Sequence, residues 1–181
     1  MHELILGGAR SGKSRCAEAR AAAWLAVPGR SAVFVATALA GDDEMRERIA
    51  RHRADRAVRV PRLATREEPL ALPEALELAA PERLLVVDCL TLWMTNLHMP
   101  AHGLPLPDAD AREAAFVTAL AAARGPVVLV SNEIGLGVTP MSSETRRFVD
   151  AIGRLHQQVA AVCERVTLMV AGIELAVKGP R

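Results

Sequence analysis

The stretch Leu4-Ile5-Leu6-Gly7-Gly8-Ala9-Arg10-Ser11-Gly12-Lys13-Ser14 decides how this chain is read. Three apolar residues make a buried strand, two glycines cut it off, and Gly7 to Ser14 match G-x-x-x-x-G-K-[ST]. A helix rich in Ala, Glu and Arg follows to about residue 26 and is ended by Pro28-Gly29. Strand, glycine loop and helix in this order are the setting that a phosphate-binding loop requires. The glycines let backbone N–H groups curl around phosphates, and the helix N-terminus adds its partial positive charge. Lys13 is placed to reach the β- and γ-phosphates and the Ser14 hydroxyl to ligate Mg²⁺. The bland alternative, a chance glycine turn before a helix, fits that setting poorly. The chain is expected to bind a nucleoside triphosphate.

Working outward, short apolar runs alternate with amphipathic stretches. Ala32 to Ala36, Leu84 to Val87, Val127 to Val130 and Val166 to Val170 read as further strands, the last of them the final clear one. Leu84 to Val87 is continuously apolar, as expected of a strand covered on both faces. Helices are expected from Asp42 to about Arg53, from Glu67-Glu68-Pro69 to near Pro81, and over residues 90–98, 108–124 and 143–163. The first of these carries Asp42, Asp43 and Glu44 in its opening turn, where acids suit the helix dipole. Val58 to Leu63 reads as a short strand, and residues 100–107, with three prolines and a glycine, as a loop. The alternation predicts an α/β fold of the P-loop NTPase kind: a RecA-like, mostly parallel sheet with helices on both faces. Residues 1–181 are expected to form one catalytic domain.

Composition narrows the possible roles. With 51% hydrophobic and 24% charged residues, disorder is excluded as the dominant state. Aromatics supply only 3%, without a single Tyr, so Ala, Val, Leu and Ile must build the core. Twenty-two basic against 21 acidic residues leave a net charge of +1, which creates no field attractive to nucleic acid. Cys16, Cys89 and Cys163 are odd in number and widely spaced, favouring neither a disulfide framework nor a zinc site. No apolar run reaches the roughly 18 to 20 residues of a membrane span, and glycines interrupt the N-terminal run too early for a signal peptide. A reduced, cytoplasmic protein is expected.

Asp88, directly after the Leu84 to Val87 run, stands where a Walker-B Asp holds Mg²⁺. Capping of the following helix is the competing role, and the two are compatible. Among the histidines, His98 and His102 are separated by Pro100, which breaks a shared helical face and argues against a metal pair. His156 lies among Arg154, Gln157 and Gln158 and reads as solvent-exposed; His2 is terminal and carries no argument. His52 is flanked by Arg51 and Arg53, with Arg46, Arg48 and Arg56 close by. Arg48 and His52 share a helix face at i, i+4. Neighbouring cations favour a neutral, nucleophilic imidazole and attract phosphate. From spacing alone, a solvated basic face remains the stronger account.

Several segments nevertheless occur together in one order: GGARSGKS, ATALAGDDEM (Ala36 to Met45), the helix with His52 ten residues after Asp42, TREEP (Thr65 to Pro69), VVDCLTLWMTN (Val86 to Asn96), VSNEIGLGVTP (Val130 to Pro140) and AGI (Ala171 to Ile173). Over nearly its whole length the chain closely resembles the bifunctional adenosylcobinamide kinase / adenosylcobinamide-phosphate guanylyltransferase family of cobalamin biosynthesis. The resemblance implies two reactions. ATP or GTP phosphorylates the hydroxyl of the aminopropanol arm of adenosylcobinamide; GTP then transfers GMP to that phosphate, releasing pyrophosphate. It implies a guanylylated histidine at His52, which reverses the odds set by spacing, with the arginines offsetting charge on the α-phosphate. It places the phosphates on Gly7 to Ser14 and nucleotide contacts at Ala36, Thr37 and Ala38, at Arg53, Ala54, Asp55 and Arg56, and at Glu67 and Asp88. For Asp88, Mg²⁺ ligation and acceptance of guanine N–H groups both stay open, and Glu133 is a candidate base or metal partner. The family usually carries Trp two residues before the Thr of T-x-E-E-P; here that position is Leu63, so a stacking contact would be lost. Homotrimers are also implied. Two rivals stand beside this reading: a P-loop kinase of another small metabolite, and a non-catalytic nucleotide-binding regulator.

Overall fold

In the computed structural model, which describes residues 1–100 and 108–179, the apolar runs line up as the middle of one seven-stranded sheet. The elements are β1 (His2–Gly7), α1 (Lys13–Leu25), β2 (Ser31–Ala36), α2 (Asp43–Arg59), β3 (Ala64–Glu67), α3 (Leu72–Ala75, continued by a 3₁₀ turn at Leu76–Leu78), β4 (Arg83–Asp88), α4 (Leu90–His98), α5 (Ala109–Ala122), β5 (Val127–Asn132), α6 (Ser143–Val162), β6 (Arg165–Val170) and β7 (Ile173–Lys178). The strand order is β3-β2-β4-β5-β1-β6-β7, with the first six parallel and β7 antiparallel to β6. One strand, β5, separates the strand that feeds the phosphate loop from the strand that ends in Asp88. This is the expected RecA-like arrangement.

Successive side chains on a strand point to opposite faces, and here both faces are apolar. Leu4, Val35, Leu85, Val87, Val127 and Leu129 join the layer beneath α3 to α6. Their neighbours Ile5, Phe34, Leu84, Val86, Val128 and Val130 join the layer beneath α1. The shortage of aromatics concentrates bulk at one point: Trp93 and Phe116 are fully buried with ring centroids 5.0 Å apart. Trp93 Nε1 donates to the Leu70 carbonyl at 3.0 Å, so the indole carries no unmet donor. All three cysteines are free and buried, and burial pushes each thiol up to about 12.

Four expectations need correction. The segment read as a short strand at Val58 to Leu63 is the end of α2, which runs to Arg59, followed by a turn; the strand comes later, as β3. β3 pairs only with β2, at the sheet edge, and its sequence ATRE is exposed throughout, so no apolar period marked it. The helix expected from Glu67 begins at Leu72, because Glu67 still belongs to β3. Val166 to Val170 is not the last strand: β7 follows across Ala171-Gly172, both at positive φ (51° and 81°). His156 is not exposed. It sits on the buried face of α6 with Ile152, Leu155 and Val159, only 7% accessible. Of the expected loop at 100–107, residues 101–107 and with them His102 lie outside the described residues. His98 is bonded to Glu113 at 2.8 Å.

Because Phe116 closes the α5 side of this core, replacing it with Ala is expected to destabilise the fold by about 3 to 5 kcal/mol. Urea denaturation followed by circular dichroism measures the loss. A cost below about 1 kcal/mol would show that the aromatic pair does not anchor the layer.

Candidate functional site

Parallel strands present their C-terminal ends at one edge of the sheet, and the register sets which residues meet there. Gly7 pairs with Asn132 and Met169, Asp88 with Ala36 and Val130, and Ala36 with Glu67. The phosphate loop leaves this edge at its centre. A Cβ on Gly7 would lie 2.6 Å from both the Met169 carbonyl oxygen and Ser11 Oγ, so the close approach requires glycine. Gly12, at φ 99°, takes the left-handed conformation that starts α1. Arg10 also has positive φ, 55°, which keeps the loop curled. The Ser11 hydroxyl is buried without a partner, a donor left for a ligand.

Lys13 is buried at the first position of α1 and donates to the Gly8 carbonyl at 2.6 Å. Burial lowers its pKa, against the pull of Asp88, and Arg48 adds to the lowering. At Asp88 burial is again the largest influence and raises the pKa. Ser14 and the neighbouring basic groups His52, Lys13 and Arg56 oppose it. Lys13, Ser14, His52 and Arg56 are thus near enough to Asp88 to act on its carboxylate.

His52 stands on α2. Arg48, His52 and Arg56 recur every four residues, which makes one stripe along the helix. Arg56 is the buried residue of α2: its guanidinium stacks on the Phe34 ring at 3.8 Å and donates to Thr65 Oγ1 at 3.1 Å. Arg59 ties the helix end to Glu18 of α1 at 2.7 Å. His52 itself is exposed. Arg53 pairs with Glu67 across a cleft of about 260 Å³, lined also by Ala38, Arg46, Ile49 and Pro69. Ala54 and Asp55 face solvent, with Asp55 4.0 Å from Arg59. Leu63, at the position where the family usually carries Trp, is buried in the apolar layer beneath α1.

Thr37 is fully buried and acts on the backbone. Its hydroxyl donates to the Cys89 carbonyl at 2.7 Å and accepts from the Cys89 N–H at 2.8 Å. Asn96 Nδ2 donates to the Thr37 carbonyl at 2.9 Å and to the Pro69 carbonyl at 3.0 Å. This joins the ends of β2 and β4 to α4, which holds Asp88 in place. Neither residue type announces such a role in sequence. Beside Gly7 lies a second polar group, Glu133, Ser131, Thr91 and His156; His156 Nε2 is 2.7 Å from Ser131 Oγ.

A phosphate loop on a RecA-like sheet, with a half-buried carboxylate two strands away, defines a P-loop nucleotide-binding α/β enzyme. The family described as cobinamide kinase / cobinamide phosphate guanyltransferase matches residues 3–177, and the chain belongs to it. It is 49% identical over 180 residues to the bifunctional adenosylcobalamin biosynthesis protein CobP of Pseudomonas aeruginosa, covering 99% of this chain and 98% of that one. It is 35% identical over 186 residues to the bifunctional adenosylcobalamin biosynthesis protein CobU of Escherichia coli, covering 97% and 98%. In fold alone it is similar to the flagellar accessory protein FlaH of Methanocaldococcus jannaschii, with a TM-score of 0.53, 12% identity, and 98% and 78% of the two chains covered. Among the described residues no helix is long and apolar enough to cross a membrane.

Burial lowers the His156 pKa below its ordinary 6.5, with Glu133 acting in the opposite sense. The folded state therefore resists a proton that the unfolded state accepts, and stability falls as pH drops below about 6.5. His2, lowered for the same main reason, contributes in the same direction. His156→Gln is expected to lose less stability than wild type between about pH 7.5 and about pH 5.5, measured by urea midpoints. Equal losses in both proteins would refute the buried, neutral imidazole.

Proposed function

We propose that the chain carries out both reactions of its family at this edge of the sheet, with His52 as the guanylylated nucleophile. The observation that carries this is the stripe Arg48–His52–Arg56, set against Lys13, Ser14 and Asp88. In the kinase reaction the hydroxyl of adenosylcobinamide attacks the γ-phosphorus of ATP or GTP. Lys13 and the backbone N–H groups of residues 8–14 hold the phosphates. In the second reaction an imidazole nitrogen of His52 attacks the α-phosphorus of GTP, an N–P bond forms, and pyrophosphate leaves. A phosphate oxygen of adenosylcobinamide phosphate then attacks the same phosphorus, the N–P bond breaks, and adenosylcobinamide-GDP results. Arg48 and Arg56 are placed to balance charge on the transferred phosphoryl group. The cleft between Ala38, Arg53 and Glu67 offers a carboxylate acceptor for guanine N–H groups.

The adjacent oxygens of Asp88 and Ser14 suit a hard cation. Among the described residues no three His, Cys, Asp or Glu side chains converge on a metal site. Mg²⁺ held by Asp88 and Ser14 would complete its shell with phosphate oxygens and water. Bound there, Mg²⁺ would neutralise charge on the nucleotide phosphates. One catalytic domain, a cytoplasmic setting and a homotrimer complete the proposal. The three unbridged cysteines support the setting, and the exposed apolar side chains of Ile173, Leu175 and Val177 on β7 supply a surface for association.

Incubation with Mg²⁺ and GTP labelled at the α-phosphate is expected to label the wild-type chain and leave His52→Asn unlabelled. The label should survive alkali and be released by acid, as a phosphoramidate is, and chelation with EDTA should abolish it. A folded, GTP-binding wild type that takes up no label would refute the guanylyl-histidine.

A further inference from the structure

A four-membered polar chain lies behind the phosphate loop, and the reactions as derived leave it unused. It begins at Thr91 on α4, whose Oγ1 accepts from the Asn132 N–H at 2.8 Å. Thr91 Oγ1 is 3.1 Å from Ser131 Oγ, and Ser131 Oγ is 2.7 Å from His156 Nε2. The other ring nitrogen, Nδ1, faces Glu133 Oε2 at 3.9 Å. Ser131 is fully buried, and Thr91 and His156 nearly so, whereas the Glu133 side chain keeps 22% of its surface open. The chain thus runs from the interior to one accessible carboxylate.

That carboxylate is held from both sides. The Gly135 N–H donates to Oε1 at 2.7 Å. A Cβ at position 135 would lie 3.1 Å from Oε1, so glycine lets the backbone draw close. The backbone of Glu133 is fixed too: its N–H donates to the Gly7 carbonyl at 3.0 Å, at the first residue of the phosphate loop. Among the described residues neither Lys nor Arg lies within ion-pair distance of Glu133; His156 alone does. Next to a triphosphate, a carboxylate without a cation repels its ligand, and the one N–H it accepts, from Gly135, leaves its other oxygen uncommitted. Its surroundings suit a proton acceptor: accessible, oriented by an N–H on one oxygen, with an imidazole nitrogen 3.9 Å from the other, and not neutralised by a Lys or Arg.

The geometry points to Glu133 as the general base of the kinase reaction, with His156, Ser131 and Thr91 as positioning residues that hold its carboxylate beside the phosphate loop. This rests on the proposed cobinamide kinase activity. As the hydroxyl oxygen of adenosylcobinamide bonds to the γ-phosphorus, the bond from phosphorus to the β-bridging oxygen breaks and the nucleoside diphosphate leaves. The hydroxyl proton passes to the Glu133 carboxylate and from there to solvent. His156 stays neutral throughout, accepting from Ser131 at Nε2 and presenting Nδ1–H to Glu133. Formation of the N–P bond at His52 needs no proton acceptor at Glu133, so the two reactions should separate on substitution.

The test compares wild type, Glu133→Gln, Glu133→Asp and His156→Gln in two assays, with unfolding midpoints as a control on folding. One follows transfer of label from γ-labelled ATP to adenosylcobinamide; the other follows labelling of the chain by α-labelled GTP. Glu133→Gln is expected to lower kcat for phosphorylation by about 10²-fold or more with KM for ATP within about twofold, while chain labelling changes far less. Glu133→Asp, which keeps a carboxylate on a shorter arm, should fall between wild type and Gln. His156→Gln should lower kcat about tenfold without a matching rise in KM. Equal loss in both assays would mark the group as structural and overturn the assignment, as would a wild-type kcat in Glu133→Gln. A wild type that never phosphorylates adenosylcobinamide would instead overturn the kinase reading.

Discussion

The strand register at the C-terminal edge of the sheet is the constraint on which everything else rests. Gly7, Asn132, Asp88, Ala36 and Glu67 come from five strands, yet they meet at one edge because β1 to β5 are paired in a fixed offset. Asp88, Ala36 and Glu67 stand level, and Gly7 and Asn132 lie two residues beyond them. Apolar burial on both faces enforces that offset. Sliding a strand by one residue would exchange Leu4 with Ile5, or Leu85 with Val86, between the two layers. It would also move Asp88 away from Ser14 and Lys13. Core packing and site geometry are therefore one requirement, met along the same backbone.

The site is finished by polar groups that answer backbone needs at this edge. Where β2 and β4 end, ladder bonds stop and buried N–H and C=O groups need partners. Thr37 supplies two at Cys89, and Asn96 supplies one each to Thr37 and Pro69. This makes the phosphate side rigid. α2 is attached differently, through Arg56 stacked on Phe34 and Arg59 paired with Glu18, both near its C-terminal end. The helix that carries His52 is thus tied down through its C-terminal half.

What could be read in advance follows from how much apolar surface each element buries. The central strands and the glycine loop were legible because burial on two faces demands an unbroken apolar run and the loop demands glycine. β3 and β7 are edge strands, exposed nearly throughout, and ATRE shows no apolar period. IELAVK does alternate Ile173, Leu175 and Val177 with Glu174, Ala176 and Lys178, a signal that was there to read although its apolar face lies at the surface rather than in the core. α2 hid its true length because it buries a cation rather than an apolar stripe. The burial of His156 does have a signal in the sequence. Arg154, Gln157 and Gln158 do lie on the polar side, but Ile152, Leu155, His156 and Val159 follow the spacing of one buried face. A histidine in that stripe must find a partner inside. Leu63 reads differently once placed, because its position belongs to the core.

Two carboxylates flank the phosphate loop, and their surroundings divide the labour between them. Asp88 is desolvated, which alone would favour its neutral form, but Lys13, His52 and Arg56 act against burial and Ser14 bonds to it. Burial outweighs these groups and leaves the Asp88 pKa raised, so its charged form depends on the basic groups around it and on a cation bound beside it. Glu133 has no such cations, faces a neutral imidazole and keeps an open approach from solvent. Placing similar groups in unlike environments is how one site separates an electrostatic role from a proton-transfer role. The separation here comes from the same parallel sheet: β4 delivers its carboxylate among the basic groups of α1 and α2, and β5 delivers the other against α6.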